Sequence, residues 1–219
     1  MNQFPGVVGR KVGMTQIFTE DGTVVPCTVV ESKPIVVGKR TKEKDGYDAL
    51  LLGLGQRTAK HVNKPLAGFY KGKSAAPAAI LRELRCAADF ASKFEVGQEV
   101  ALDQVFTEGQ SVDVRGITRG RGFTGVMRRY NFKGAKRSHG AHEYQRHGGA
   151  IGTNMTPGRV MAGKKMPGQY GNEQVTVLNQ PVVKVMVEQG LLLIRGAIPG
   201  SKNGIVFVRS AVKARTPKP

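Results

Sequence analysis

Gly120, Gly122 and Gly125 space the run Gly-Arg-Gly-Phe-Thr-Gly as G-x-G-x-x-G. Glycines at that spacing can bring backbone amides close to a pyrophosphate. A strand-like SVDVRGI precedes the run and a helix-compatible VMRRYNF follows it. A dinucleotide site also needs a second parallel strand ending in an acid about 20 residues on, to hold the ribose hydroxyls. Glu143 stands near that distance, but the intervening NFKGAKRSHGAHE contains no strand. The run therefore predicts a glycine turn, slim enough to approach phosphates and flanked by Arg119, Arg121, Arg128 and Arg129.

The histidines are the next group with chemical potential. His139, His142, Glu143 and His147 lie in SHGAHEYQRHGG, and HEYQRH is close to a zincin motif. That motif sets its histidines at i and i+4 on one helical face. Here His142 and His147 are five apart in a glycine-rich stretch, so the spacing predicts no metal site. Histidines among arginines read instead as groups that stack on bases or donate to phosphates. His61 is isolated, and GAIPGSKNG lacks the spacing of a P-loop. Cys27 and Cys86 are isolated too, and read as small buried hydrophobes in a reducing cytosol. No nucleophile, base and orienting group can be assembled, so neither catalysis nor a cofactor is expected.

The cations are the loudest signal. Lys and Arg number 34 against 16 Asp and Glu, a formal net charge of +18. Such an excess repels itself unless a polyanion cancels it. The charge is concentrated: Arg115–Tyr170 holds twelve basic residues, twelve glycines and one acid, Glu143. Arginine binds phosphate bidentately and stacks on bases, and glycine removes bulk where RNA helices lie close. RNA is favoured over DNA or a membrane surface, since no basic helix with a broad apolar face is present.

The elements that must position these residues lie on either side. TVVPCTVVE (23–31), PIVVG (34–38), ALLLGLG (49–55), QEVAL (98–102) and SVDVRGI (111–117) read as strands. So do NEQVTVL (172–178), VVKVMVE (182–188), LLLIRG (191–196) and GIVFVRS (204–210). Asp21-Gly22, Asp45-Gly46 and Gln189-Gly190 mark turns between them. Many short strands with glycine turns predict a closed barrel or a sandwich. By composition, 74–92 leans towards helix, with Pro77 limiting where one could begin. Between positions 131 and 159 no hydrophobic period persists, and ordering a backbone costs about 1–2 kcal/mol per residue. The scattered Phe123, Tyr130, Phe132, Tyr144 and Ile151 are too few to offset that, so this stretch is expected to be mobile when free and ordered by its partner. No run reaches the ~18 apolar residues of a spanning helix, and the N-terminus carries no export or import pattern, so a cytoplasmic protein is expected.

Four long runs resemble one family. GVVGRKVGMTQIFTEDGTVVPCTVVE (6–31), SVDVRGITRGRGFTGVMRRYNFKG (111–134), SHGAHEYQRHGGAIGTNMTPGRVMAGKKMPGQYGNEQVTV (138–177) and LLLIRGAIPGSKNGIVFVRSAVK (191–213) are similar, in order, to the large-subunit ribosomal protein L three family of bacterial type. The resemblance is weakest over 58–95, an insertion in the barrel body, where it favours strand around Ile80–Arg85 against the helical composition. It implies a β-barrel body from 1–118 and 171–219, and a basic, irregular extension over 119–170 with a short helix at its base. The extension would thread into large-subunit ribosomal RNA. Early assembly, docking of neighbouring large-subunit proteins and a place in the ribosome are implied as well.

The RNA contacts so implied are Arg10, Lys11, Arg119, Arg121, Arg128, Arg129, Lys133, Lys136, Arg137, His139, His142, Arg146, His147, Arg159, Lys164 and Lys165. The tip that approaches the peptidyl transferase centre maps to Gly152, Thr153, Asn154, Met155, Thr156, Pro157 and Gly158. Some bacterial members carry a methylated glutamine where Met155 stands, so that modification is not expected here. Two rivals from other classes are an RNA-modifying enzyme and a free-standing nucleic-acid chaperone.

Overall fold

The computed structural model describes residues 4–73 and 75–213. The outermost residues of the expected barrel segments, and Ser74 at the start of the alanine-rich stretch, lie outside the described residues. The chain divides into two compact units. One holds the described residues up to Ile117 together with those from Gln174 on, and the other is Thr118–Glu173.

The first unit is built on strands β1 (Gly6–Phe18), β2 (Val24–Glu31), β3 (Ile35–Arg40), β4 (Ala49–Gln56), β5 (Ala78–Arg85) and β6 (Ser111–Ile117). Short helices α1 (Lys42–Asp45), α2 (Lys64–Lys71) and α3 (Ala88–Ser92) lie between them. The second unit contributes β7 (Phe123–Thr124), α4 (Val126–Tyr130) and β8 (Gly168–Gln169). The chain then returns to the first unit with β9 (Gln174–Met186), β10 (Leu191–Arg195) and β11 (Ile205–Ser210). Among the described residues no helix is long and apolar enough to cross a membrane.

β1, β11, β6, β9, β10 and β2 close into a barrel in that order, every pair antiparallel. Closure satisfies the strand edges, which an open sheet would leave as unpaired amides and carbonyls. β-Branched and aliphatic side chains of these strands fill the core, several from adjacent positions. Val7, Val8, Val30, Val112, Val114, Leu192, Ile194, Val206 and Val208 are all shut off from solvent. A second antiparallel sheet, β3-β4-β5, shares this core through Val36, Leu50, Leu52 and Leu84.

Three of the expected elements are corrected. Residues 78–85, helical by composition, form strand β5 as the resemblance favoured, paired with β4 from Ala49↔Arg85 to Gln56↔Ala78. Pairing with a partner strand overrides the helical leaning of alanine and leucine, as tertiary context does for short segments. Only α3, further on, is helical. QEVAL at 98–102 is not a strand: it meets β3 at the single bridge Ile35↔Glu99 and then turns into a 3-10 turn at Leu102–Gln104. Its alternating Val100 and Leu102 bury into the core beside Phe94 and Phe106, so the period that mimics a strand belongs to a plugging loop. The two runs expected at 172–178 and 182–188 are one strand, β9, interrupted by an irregularity opposite Val112/Val114.

That irregularity has a named cause. Asp113 is buried, and its Oδ1 accepts the Asn179 amide at 3.1 Å while Oδ2 accepts the Val212 amide at 3.3 Å. Asn179 takes a left-handed φ of 53°, a conformation asparagine tolerates better than most residues. β1, absent from the expected strands, pairs with β11 from Gly6 to Arg10 and with β2 from Arg10 to Phe18. Beyond Arg10 it leaves Met14 and Phe18 exposed, so its burial loses the alternation that marks a strand in sequence. The glycines of the three expected turns, Gly22, Gly46 and Gly190, all have positive φ.

Candidate nucleic-acid interface

The cation-rich unit begins as a ladder of backbone bonds between its outgoing and returning limbs. The Thr118 amide donates to the Glu173 carbonyl at 2.9 Å and the Asn172 amide to the Thr118 carbonyl at 3.1 Å. Further out, the Arg121 amide donates to the Tyr170 carbonyl at 2.8 Å and the Tyr170 amide to the Gly122 carbonyl at 2.9 Å. β7 and β8 continue the pairing through Phe123↔Gln169 and Thr124↔Gly168. Gly171 sits in this ladder at φ 72°, and a Cβ there would collide with the Arg119 carbonyl. Only glycine admits so close an approach of the two limbs.

The G-x-G-x-x-G run lies in the same region and is a turn leading into β7 and α4. β6, which precedes it, pairs only with antiparallel strands, and β7 and β8 are antiparallel to each other. No parallel crossover, and so no dinucleotide crevice, forms around these glycines.

Aromatic rings hold several cations in place. The Arg121 guanidinium lies 4.9 Å from the Tyr170 ring centroid. Tyr130 is approached by Arg129 at 5.0 Å and by Lys165 at 5.8 Å. Arg129 also donates from Nη1 to the Met166 carbonyl at 2.9 Å, tying α4 to the returning limb. These ring partners were not legible in sequence, because an Arg-Tyr neighbour pair does not fix which way either side chain turns.

The expected contacts divide into two sets. Arg119, Arg121, Arg128, Lys133, Lys136, Arg137, His139, His142, Arg146, His147, Arg159, Lys164 and Lys165 are exposed on the second unit, and Arg129 is half-buried. The tip residues Gly152, Thr153, Asn154, Met155 and Thr156 are exposed there as well, with Thr153 Oγ1 donating to the Thr156 carbonyl at 2.9 Å. Arg10 and Lys11 belong to the barrel. Arg10 pairs with Glu31 at 2.9 Å, and Lys11 Nζ donates to the carbonyls of Ile198 and Gly200 at 2.8 and 3.2 Å.

Electrostatically the two units differ. The four ion pairs among the described residues, Arg10–Glu31, Arg40–Asp45, Arg40–Glu83 and Arg209–Asp113, all lie in the barrel unit. Among the described residues of Thr118–Glu173, eleven arginines and lysines form no ion pair. No three of His, Cys, Asp or Glu gather into a metal-sized cluster among the described residues.

Fold and site together define a class: a closed β-barrel interrupted by a cation-rich, acid-poor unit that presents its charge uncompensated. A model of the family described as ribosomal protein L3 matches residues 70–190. The large ribosomal subunit protein uL3 of Sorangium cellulosum is 56% identical over 98% of this chain and 93% of its own length. Its counterpart in Myxococcus xanthus is 51% identical over 95% of this chain and 94% of its own length. That of Thermosipho melanesiensis is 46% identical, covering 94% of this chain and 97% of its own length. The chain belongs to the ribosomal protein L3 family.

Proposed function

We propose that this protein is a non-catalytic structural constituent of the large ribosomal subunit, working in the cytoplasm as part of the ribosome. It binds large-subunit ribosomal RNA through the unit Thr118–Glu173, supports early assembly, and brings the tip at 152–156 towards the peptidyl transferase centre. The barrel serves as the platform that docks beside RNA and neighbouring large-subunit proteins.

One observation carries this reading: eleven cations of one unit stand without an ion pair, among limbs held slim by glycine. Phosphates supply the missing counter-charges. The burial pattern agrees, since the only buried side chains among the described residues of that unit are Thr124 and Val126. So small a core favours a unit whose outer part takes its order from RNA.

The test is the salt dependence of binding. With roughly six to ten phosphates neutralised, affinity for large-subunit RNA falls by about three to five orders of magnitude between about 50 and 200 mM salt. An affinity indifferent to salt would sink the assignment. Sucrose-gradient sedimentation separates it from the chaperone reading, which requires most of the protein to run outside large subunits and their precursors.

A further inference from the structure

The second unit carries an open-sided pocket of about 920 Å³ whose shape the phosphate-contact reading does not use. It is lined by Gly125 and Val126 and by residues from 132–135, 144–151 and 164–167. Its size falls in the range of sites that bury a small organic molecule. Two close approaches shape its wall. The Ala135 amide donates to the Gln145 carbonyl at 3.1 Å, and a Cβ on the adjacent Gly134 would strike that same carbonyl. Gly148 packs on Val126, where an added Cβ would lie 3.4 Å from Cγ2.

The lining is chemically lopsided. Phe132, Tyr144 and His147 supply rings, and the last two meet edge to face with centroids 5.2 Å apart. Tyr144 keeps 65% of its surface exposed, although an aromatic ring loses free energy by staying in water. Lys133, Arg146, Lys164 and Lys165 also line the cavity, and no Asp or Glu does. Rings that leave a face open to solvent, beside cations without an anion, are complementary to a flat aromatic group that carries a phosphate.

We propose that this cavity receives one unstacked nucleotide of the bound RNA. The base lies against Tyr144 and His147, and its phosphates meet Lys164, Lys165 and Arg146. The inference rests on the RNA-binding reading and deepens it. It predicts base contact at a defined pocket, where that reading requires only charge.

Charge contacts and stacking differ in their response to salt, which separates the two claims. Each phosphate contact adds to the slope of log affinity against log salt, whereas base stacking does not. The experiment is filter binding of the full chain to large-subunit ribosomal RNA across a salt series. It compares the unaltered protein with Tyr144→Ala, Tyr144→Phe and Lys164→Ala. Tyr144→Ala is expected to weaken binding by about 5- to 100-fold at every salt concentration, with the slope unchanged. Tyr144→Phe keeps the ring and binds as the unaltered protein does. Lys164→Ala lowers the slope by about one.

Tyr144→Ala binding as tightly as the unaltered protein, while Lys164→Ala still flattens the slope, would overturn the pocket and leave RNA binding standing. A salt-indifferent affinity of the unaltered protein would overturn the underlying reading itself. Adenosine and uridine monophosphates form a second arm, titrated into the full chain and followed by NMR at 132–151. Micromolar binding that disappears in Tyr144→Ala would overturn RNA as the source of the nucleotide.

Discussion

Arg129 donates from Nη1 to the carbonyl of Met166, 37 positions further along the chain, at 2.9 Å. Its guanidinium also lies over Tyr130, at 5.0 Å from the ring centroid. A cation that composition assigns to phosphate thus acts as a strut between the outgoing and returning limbs. Gly168 completes the joint, because a Cβ there would lie 2.6 Å from Arg129 Nη1.

Arg129→Ala and Gly168→Ala are therefore expected to loosen the same joint. Losing a charge-assisted hydrogen bond is worth roughly 1.5–3 kcal/mol, or about 10- to 100-fold in local opening. Amide hydrogen exchange at 121–131 and 166–170 should accelerate by that factor in both variants, with barrel amides unchanged. Unaltered exchange at those positions would show that Arg129 holds nothing together.

Asp113 is expected to be the most sensitive charged position of the barrel. Its carboxylate accepts two backbone amides, from Asn179 and Val212, and pairs with Arg209 at 3.5 Å. Asp113→Ala strands both amides in a buried site and is expected to cost about 2–4 kcal/mol. Urea unfolding checks it, through a lower midpoint at constant slope.

Leu50 tests whether the two sheets of the barrel unit unfold together. It lies on β4 yet shares one core with Val8 and Ile194 of the barrel. Leu50→Ala is expected to cost about 2–5 kcal/mol and to shift a single transition. Calorimetry that resolves two transitions, with only one moved, would separate the sheets energetically.

The two thiols give a pH-dependent signature. Burial pushes Cys86 up to about 11, and burial raises Cys27 as well, against the opposing charge of Arg195. Both should resist a thiol-specific disulfide reagent at pH 8 in the folded protein and react promptly in urea. Because the folded value exceeds the unfolded one, the native state keeps the Cys86 proton where the unfolded chain has lost it. That contribution is present below the ordinary thiol value of 9.0 and is lost as pH rises towards about 11.

The tip carries its own prediction. Residues 150–158 are exposed throughout. Their deletion is expected to leave the barrel's unfolding midpoint unchanged while slowing peptide-bond formation or subunit maturation. Particles that carry the deletion fully incorporated and translate at the normal rate would refute the role of the tip.

The barrel strands β2, β6, β10 and β11, and β4 of the second sheet, were legible because each is a short run of β-branched and aliphatic residues buried in one core and bounded by turn residues. Net charge and its concentration in one quarter of the chain were legible for a simpler reason: charge adds up along a sequence without reference to shape. The strand at 78–85 was not legible in its helix-leaning composition, although the family resemblance favoured it, and the plugging loop at 98–102 and the continuation of β9 past its irregularity were not legible. In each, a contact with a distant segment outweighs what the local residues prefer, as Asp113 does for Asn179 across 66 positions. The same holds in the second unit, where sequence counts Arg121, Arg129 and Lys165 alike as free cations. Only the folded chain, by setting Tyr170 and Tyr130 beneath them, decides which charges are anchored and where a cavity is left open.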